Sequence, residues 1–309
     1  CKMMEEGIQF TNMYTPIFGS AGTLNAEFCG YTGLTAPANG TPLVYYTNLY
    51  YPYSLPNLFR ENGYTAKSFH YNLGEFYNRQ NIHTSVGFEE YVSYLDYEED
   101  KIAQQDNTLT ENEALYQKLT EKTPFFDFVI TFSAHSTIGA TKPYSHADEA
   151  LELYPEYLGK YDSEEMDSIS AKARLTDDMF AGLLERLKED DLLKDTVIIA
   201  YGDHYDYTIL DQNYLKELSD AENIYELSKT PLFIWSEGLK AQEIDKIVNT
   251  TDLYPTICNL FGLNNQNYFI GNDIFDQAYQ GYAYWQDGSF IIPEGAFYSS
   301  EGSYIGEIE

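Results

Sequence analysis

Continuous apolar runs, rather than alternating ones, mark this chain. FFDFVITF (Phe125 to Phe132), DTVIIAYG (Asp195 to Gly202) and TPLFIW (Thr230 to Trp235) read as strands buried on both faces, the pattern of a parallel sheet covered by helices. TAKSFHY (Thr65 to Tyr71) is a weaker candidate of the same kind. From Ser163 to Asp190, apolar residues recur at Met166, Ile169, Ala173, Phe180, Leu183, Leu184 and Leu187. That spacing follows the helical period, with acids and Lys/Arg opposite, and predicts one long amphipathic helix. A second helix is expected over Asp252 to Phe261, closed by Gly262 as its C-terminal stop. Alternating strands and helices mean an α/β fold: a mostly parallel central sheet with helices on both faces.

Two stretches, Ile138 to Asp162 and Asp203 to Asn223, are polar and without a clean period, and read as long loops that follow strands. Ligands of open parallel sheets bind beyond the carboxyl ends of strands, so chemistry is expected there. Beyond Gly281 the pattern changes to short aromatic pieces, YAYW and SFIIP, on either side of Asp287-Gly288, a hairpin signal. The chain is therefore divided into a main α/β domain at 1–280, the part the resemblance described below makes catalytic, and the start of a small antiparallel β appendage at 281–309.

Charge narrows the function. The 309 residues carry 18 Lys+Arg against 49 Asp+Glu, a formal net charge of −31. Such a field repels phosphate backbones and anionic membrane surfaces, which excludes a general nucleic-acid binder. A hydrophobic content of 43% is enough to build a core despite the acidity. Cys1, Cys29 and Cys258 have the spacing of neither a disulfide framework nor a thiolate zinc site. No apolar run approaches the roughly 20 residues that span a bilayer. The start, CKMMEEGIQF, lacks the charged and apolar regions of a signal peptide, and the chain reads as a piece of a longer protein.

Five places could carry chemistry. Asp203-His204 directly follows the run VIIAYG, and a carboxylate beside an imidazole at a strand end suits ligation of Mn, Zn or Mg. The plainer alternative is an Asp capping a turn with a His packed beside it. His135 ends DFVITF in TFSAHST, on the same expected rim of the sheet, where it could bind or protonate a phosphate oxygen. His70 lies at a third strand end. His83 and His146 stand in polar, surface-like context and receive no role. Arg79, in EFYNRQNIH, is suited to a bidentate phosphate contact, or is a surface arginine paired with Glu75 or Glu89. Phe18 to Phe28 runs from small residues into a helix start, where free N–H groups favour a phosphoryl oxygen. Thr23 there is either a metal-activated nucleophile or a plain N-cap.

Taken in order, GSAGTLNAEF (19–28), SLPNLFRENGYTAKSFHYN (54–72), FYNR (76–79), FVITFSAH (128–135), LKDTVIIAYGDH (193–204), TPLFIW (230–235) and TDLYPTICNLFGL (251–263) resemble the extracellular catalytic domain of lipoteichoic acid synthases. These form the phosphoglycerol transferase branch of the alkaline phosphatase and sulfatase superfamily. The resemblance implies a sulfatase-like fold and one divalent metal, Mn2+ first, with Mg2+ or Zn2+ as alternatives. It makes Thr23 the nucleophile, also touching the metal, and Asp203 and His204 metal ligands. Arg79, His135 and His70 would hold the substrate phosphate and glycerol. Tyr77 stands where the family often has Trp, so an aromatic shelf is kept with an added hydroxyl. The implied donor is a phosphatidylglycerol-like lipid, and the acceptor a glycerolphosphate polymer or a glycolipid. The implied location is the outer face of a Gram-positive-type cell membrane, reached through helices of the parent protein. The family's first strand ends in a metal-binding Glu, usually in Glu-Ser-Phe context, and no such segment precedes Phe10; that strand is expected to be missing and the metal shell incomplete. Rival readings are a phosphodiesterase, a phosphoethanolamine transferase, or a non-catalytic wall-polymer binding domain. A sulfatase is disfavoured, because neither Cys29 nor Ser20 lies in the Cys/Ser-x-Pro-x-Arg setting that branch needs.

Overall fold

The computed structural model describes residues 2–17, 20–35, 47, 49–97, 105–135, 146–210, 212–219, 221–266, 268–299 and 302–306. Phe18 and Gly19, which begin the small-residue segment before Thr23, lie outside them, as do 136–145 and 307–309. Among the described residues the strands are β1 (Ile8–Tyr14), β2 (Thr65–His70), β3 (Glu90–Ser93), β4 (Phe125–Ile130), β5 (Val197–Tyr201), β6 (Lys229–Ser236), β7 (Gln242–Asn249), β8 (Ala283–Tyr284), β9 (Phe290–Ile292), β10 (Gly295–Tyr298) and β11 (Ser303–Gly306). The chain separates into two compact units that interleave in sequence. The first comprises 1–58, 195–207 and 211–309, the second 59–194 and 208–210.

In the first unit a four-stranded sheet has the order β5-β6-β1-β7. β1 runs parallel to β7, while β6 runs antiparallel to both β1 and β5. The run TPLFIW thus forms a strand as expected, but not a parallel one. Its Leu232, Phe233, Ile234 and Trp235 are all buried because β6 is an inner strand; unbroken apolarity reports cover on both faces and is silent about direction. Phe10, Met13, Leu232, Ile234 and Val248 meet Leu253 and Ile274 in one core cluster. Leu253 opens the expected helix, observed as Leu253–Leu260, and Gly262 adopts φ +62° just beyond it, the left-handed C-terminal stop glycine accommodates best.

The appendage is also built as read. β8 to β11 form an antiparallel sheet, and Tyr284 pairs with Phe290 around a turn where Gly288 has φ +88° and the Asp287 carboxylate accepts the Ser289 N–H at 2.9 Å. Tyr14, Tyr225, Trp285 and Tyr298 pack into a single aromatic cluster against it.

In the second unit β3, β2 and β4 form a parallel sheet. His70 is in register with Ile130 and Ser93 at the strand ends. The long helix is observed as Glu164–Glu189, with the Ser163 side chain accepting the Met166 N–H as its cap. Its buried stripe differs from the apolar one read in the sequence: Ala171, Leu175, Met179, Leu183 and Leu187 are buried together with Asp167, Ser168 and Lys172, whereas Ala173 is exposed. Two of the polar members serve loop backbone: the Asp167 carboxylate accepts the N–H groups of Gly159 and Tyr161 at 2.7 and 2.9 Å, and the Lys172 ammonium donates to the His135 carbonyl, while the Ser168 hydroxyl donates to the Glu164 carbonyl of the same helix.

Both stretches expected as loops contain a helix, Ala147–Leu153 and Gln212–Ser219. Two turns are too short for a period to stand out in a polar sequence. Among the described residues no helix is long and apolar enough to cross a membrane.

Candidate active site

In the first unit, the helix Ser20–Thr32 lies against the end of β5, and small residues let it do so. A Cβ on Gly30 would come within 2.2 Å of the Tyr201 hydroxyl, and one on Gly22 within 2.8 Å of the Ile17 carbonyl and 3.3 Å of the His204 Cβ. Between them the Ala26 carbonyl accepts the Tyr201 hydroxyl at 3.2 Å. Gly22, Ala26 and Gly30 thus form a stripe at four-residue spacing, one face of a helix, apposed to residues 201–204. Thr23 is the next residue after Gly22, half-buried and inside the helix, so the plain N-cap alternative does not hold.

Asp203 and His204 face one another. The His204 Nδ1 is 2.8 Å from the Tyr205 carbonyl oxygen. A carbonyl only accepts, so Nδ1 carries a proton, and Nε2 is the nitrogen turned toward Asp203. That nitrogen is 3.3 Å from Asp203 Oδ2, while Oδ1 accepts the His204 N–H at 3.0 Å. Half of the carboxylate therefore closes a turn, as the plainer alternative proposed. The other half faces the His204 Nε2. Among the described residues no three His, Cys, Asp or Glu side chains cluster as a metal site. Asp203 and His204 fit as two ligands of a divalent ion, with the Thr23 hydroxyl as a candidate third.

In the second unit, His70 is buried at the end of β2, its Nδ1 3.0 Å from the Ile130 carbonyl of β4. Phe132 meets His70 edge-on, with centroids 5.8 Å apart, and stacks on His135 at 5.2 Å, so one ring brings both histidines together. The Asp106 carboxylate accepts the backbone N–H groups of Phe132 and Ser133 at 2.7 and 3.1 Å. Burial pushes that carboxyl above its ordinary value, while the hydrogen bonds from Thr176 and the two N–H groups pull it back.

Arg79 is 2% exposed and opens the helix Arg79–Val86. The surface alternative fails because the side chain is buried. What turns Arg79 inward is the backbone before it, where Tyr77 (φ 56°, ψ 16°) and Asn78 (φ 54°, ψ 29°) are consecutive non-glycine residues in the left-handed region. Each costs roughly 1–2 kcal/mol, less for Asn, and such strain persists where function holds it. The guanidinium lies 5.8 Å from the Tyr77 ring centroid.

The sulfatase family model matches residues 1–263. The chain belongs to the sulfatase family. Curated relatives of this sulfatase-family chain include lipoteichoic acid synthase 2 of Bacillus subtilis, 27% identical over 278 residues, covering 83% of this chain and 40% of the relative. The lipoteichoic acid synthase of Staphylococcus saprophyticus is 25% identical over 253 residues, covering 78% and 38%. The chain thus spans about two fifths of the length of these relatives. The crystal structure of the lipoteichoic acid synthase LtaP from Listeria monocytogenes superposes with TM-score 0.74 at 20% identity, covering 96% of this chain and 74% of that one. An alkaline phosphatase superfamily protein from Vibrio parahaemolyticus gives TM-score 0.74 at 18% identity, covering 100% and 75%. The fold expected from the sequence is therefore the one observed.

Within this sulfatase fold, sequence reasoning misplaced two histidines. His83 is fully buried among Phe88, Tyr91 and Phe128, and His146 is buried beside the helix Ala147–Leu153; neither is on the surface. The Gly22-Ala26-Gly30 stripe went unread although its four-residue spacing was visible in the sequence. The left-handed pair at Tyr77-Asn78 left no signal beyond the single Asn.

Proposed function

We propose that this chain is the catalytic part of a phosphoglycerol transferase, acting on a phosphatidylglycerol-like donor in the synthesis of lipoteichoic acid or a related envelope polymer. The observation that carries this reading is the apposition of the Gly22–Ala26 helix face to the Asp203-His204 turn, beside Thr23. The names of the curated relatives support the substrate class. Asp203, His204 and Thr23 would hold a divalent cation, Mn2+ before Mg2+ or Zn2+, which would supply charge neutralisation and lower the pKa of a bound hydroxyl.

Thr23 Oγ1 attacks the donor phosphorus and loses its proton; the bond from phosphorus to the diacylglycerol oxygen breaks, and that oxygen takes up a proton. An acceptor alcohol, the polymer terminus or a glycolipid, then attacks the phosphothreonine and restores the Thr23 hydroxyl. Arg79 offers a planar fork to two phosphate oxygens, and Tyr77 an aromatic shelf. His135 exchanges a proton with the leaving or attacking oxygen, and His70 donates or accepts a hydrogen bond at the phosphoglycerol. The reaction belongs at the outer face of a Gram-positive-type cell membrane.

The test is intact-mass analysis of protein quenched during turnover of fluorescent phosphatidylglycerol. One phosphoglycerol adduct is expected on the wild type and none on Thr23→Ala. An adduct on Thr23→Ala would overturn the nucleophile. Free glycerol phosphate as the sole product would convert the reading to a phosphodiesterase.

A further inference from the structure

The loop that leaves β4 and carries His135 is held from beneath by side chains that have no reacting role of their own. Lys172 is fully buried in the helix Glu164–Glu189, and its ammonium donates a hydrogen bond to the carbonyl oxygen of His135. Four residues on, on the same helix face, the Thr176 hydroxyl donates to Asp106 Oδ2 at 2.6 Å. Asp106 is itself fully buried; it accepts from Phe132 N–H and Ser133 N–H, and its own N–H donates to the Ser133 hydroxyl at 2.7 Å. The His135 N–H donates to the Phe132 carbonyl at 2.9 Å, and the His135 ring stacks on Phe132.

Desolvating an ammonium is costly, and the buried neighbours of Lys172 along this helix are Ser168, Ala171 and Leu175. The ammonium reaches a loop backbone carbonyl, in the turn whose next support is a buried carboxylate. Removing any one of these groups leaves the ring of His135 stacked on a Phe132 that is less firmly placed.

We propose that Lys172, together with Asp106 and Thr176, is a positioning residue for His135: it fixes the backbone of 132–135 and so the orientation of the imidazole. The proposal rests on the reading of His135 as a group that acts on the phosphodiester.

The experiment is a double-mutant cycle in the intact protein with fluorescent phosphatidylglycerol. Lys172→Met keeps the length of the stem and removes the donor. It is expected to lower kcat by about 10- to 100-fold with KM within about twofold, because small misplacements of a reacting group cost that much. In a His135→Ala background the same change is expected to cost less than about twofold, since coupled residues are not additive. The His135 imidazole 1H–15N resonances should move in Lys172→Met. Should that variant fail to fold, Thr176→Val, which deletes one hydroxyl, is expected to lower kcat about threefold and to lose that effect when His135 is Ala. Equal losses with and without His135 would overturn the positioning role, as would an unchanged kcat in both variants. Full turnover by His135→Ala would remove the assignment of His135 itself and this proposal with it.

Discussion

Two regions of the molecule assemble polar groups by different means. In the first unit, Asp203 and His204 are adjacent in sequence, their side chains 42% and 17% exposed. Their arrangement is local: a turn hydrogen bond from the His204 N–H and a carbonyl contact to Nδ1. The tertiary contribution is close approach, made by Gly22, Ala26 and Gly30. In the second unit Arg79 and His70 are almost fully buried. They and His135 are organised by backbone strain at Tyr77-Asn78, by a neighbouring strand's carbonyl and by the buried Asp106 and Lys172. On the proposed function, which makes Asp203 and His204 cation ligands and Arg79, His70 and His135 phosphate-holding groups, the difference has a physical sense. Ligands of a cation are drawn together by the charge they bind, so they can be left half open. Groups for a phosphate repel one another when charged and gain nothing until the anion arrives, so the fold must hold them beforehand.

That contrast can be broken or sharpened by substitution. The largest effect is expected from Thr23→Ala, a loss of transfer of about 10³-fold or more with the melting temperature little changed; turnover with fluorescent phosphatidylglycerol and a thermal melt check it. Next, Asp203→Asn should weaken divalent-metal affinity by about 10- to 100-fold, read by Mn2+ titration. Arg79→Lys should leave that affinity alone, and a metal defect in Arg79→Lys would erase the distinction between the two regions. Gly30→Ala forces a Cβ against the Tyr201 hydroxyl and is expected to destabilise by about 1–3 kcal/mol, measured by urea unfolding. Arg79→Lys replaces a fork by a point charge and should lower affinity for the phosphodiester by about tenfold, visible in KM. The smallest change is Tyr77→Gly. It relieves a left-handed residue and is expected to raise stability by up to about 1 kcal/mol while lowering turnover, so that stability and activity move in opposite directions.

One pH effect is expected from the first unit. Burial raises the Asp252 carboxyl to about 6, against hydrogen bonds from Asn249, Asn272 and Tyr279 that lower it. The folded state therefore holds its proton more tightly than the unfolded chain. Stability from this group is greatest in acid and falls as pH rises from about 4 to about 6, then stays level. Unfolding curves between those limits should show that slope, and Asp252→Asn should reduce it, the raised carboxyls of Asp106 and Asp127 keeping the remainder.

Much of the framework was legible before folding. Gly262 as a stop and Asp287-Gly288 as a hairpin are signals carried by one or two residues, and each is observed where the sequence announced it. His70 ends a strand and Asp203-His204 follow one, because unbroken apolar runs locate strand ends well. The helices Ala147–Leu153 and Gln212–Ser219 were not legible, for they are too short to show a period.

The sequence by itself determined the strand and helix segments, the turn chemistry and which reactive side chains stand at strand ends, since these depend on interactions within a few residues. Only the tertiary structure decided that β6 runs antiparallel and that Arg79, His83, His146 and Lys172 are buried. It also decided that a stripe of small residues meets the Asp203-His204 turn. Each of those depends on which distant segment covers a residue, and burial by a partner far along the chain leaves no mark on local period or composition.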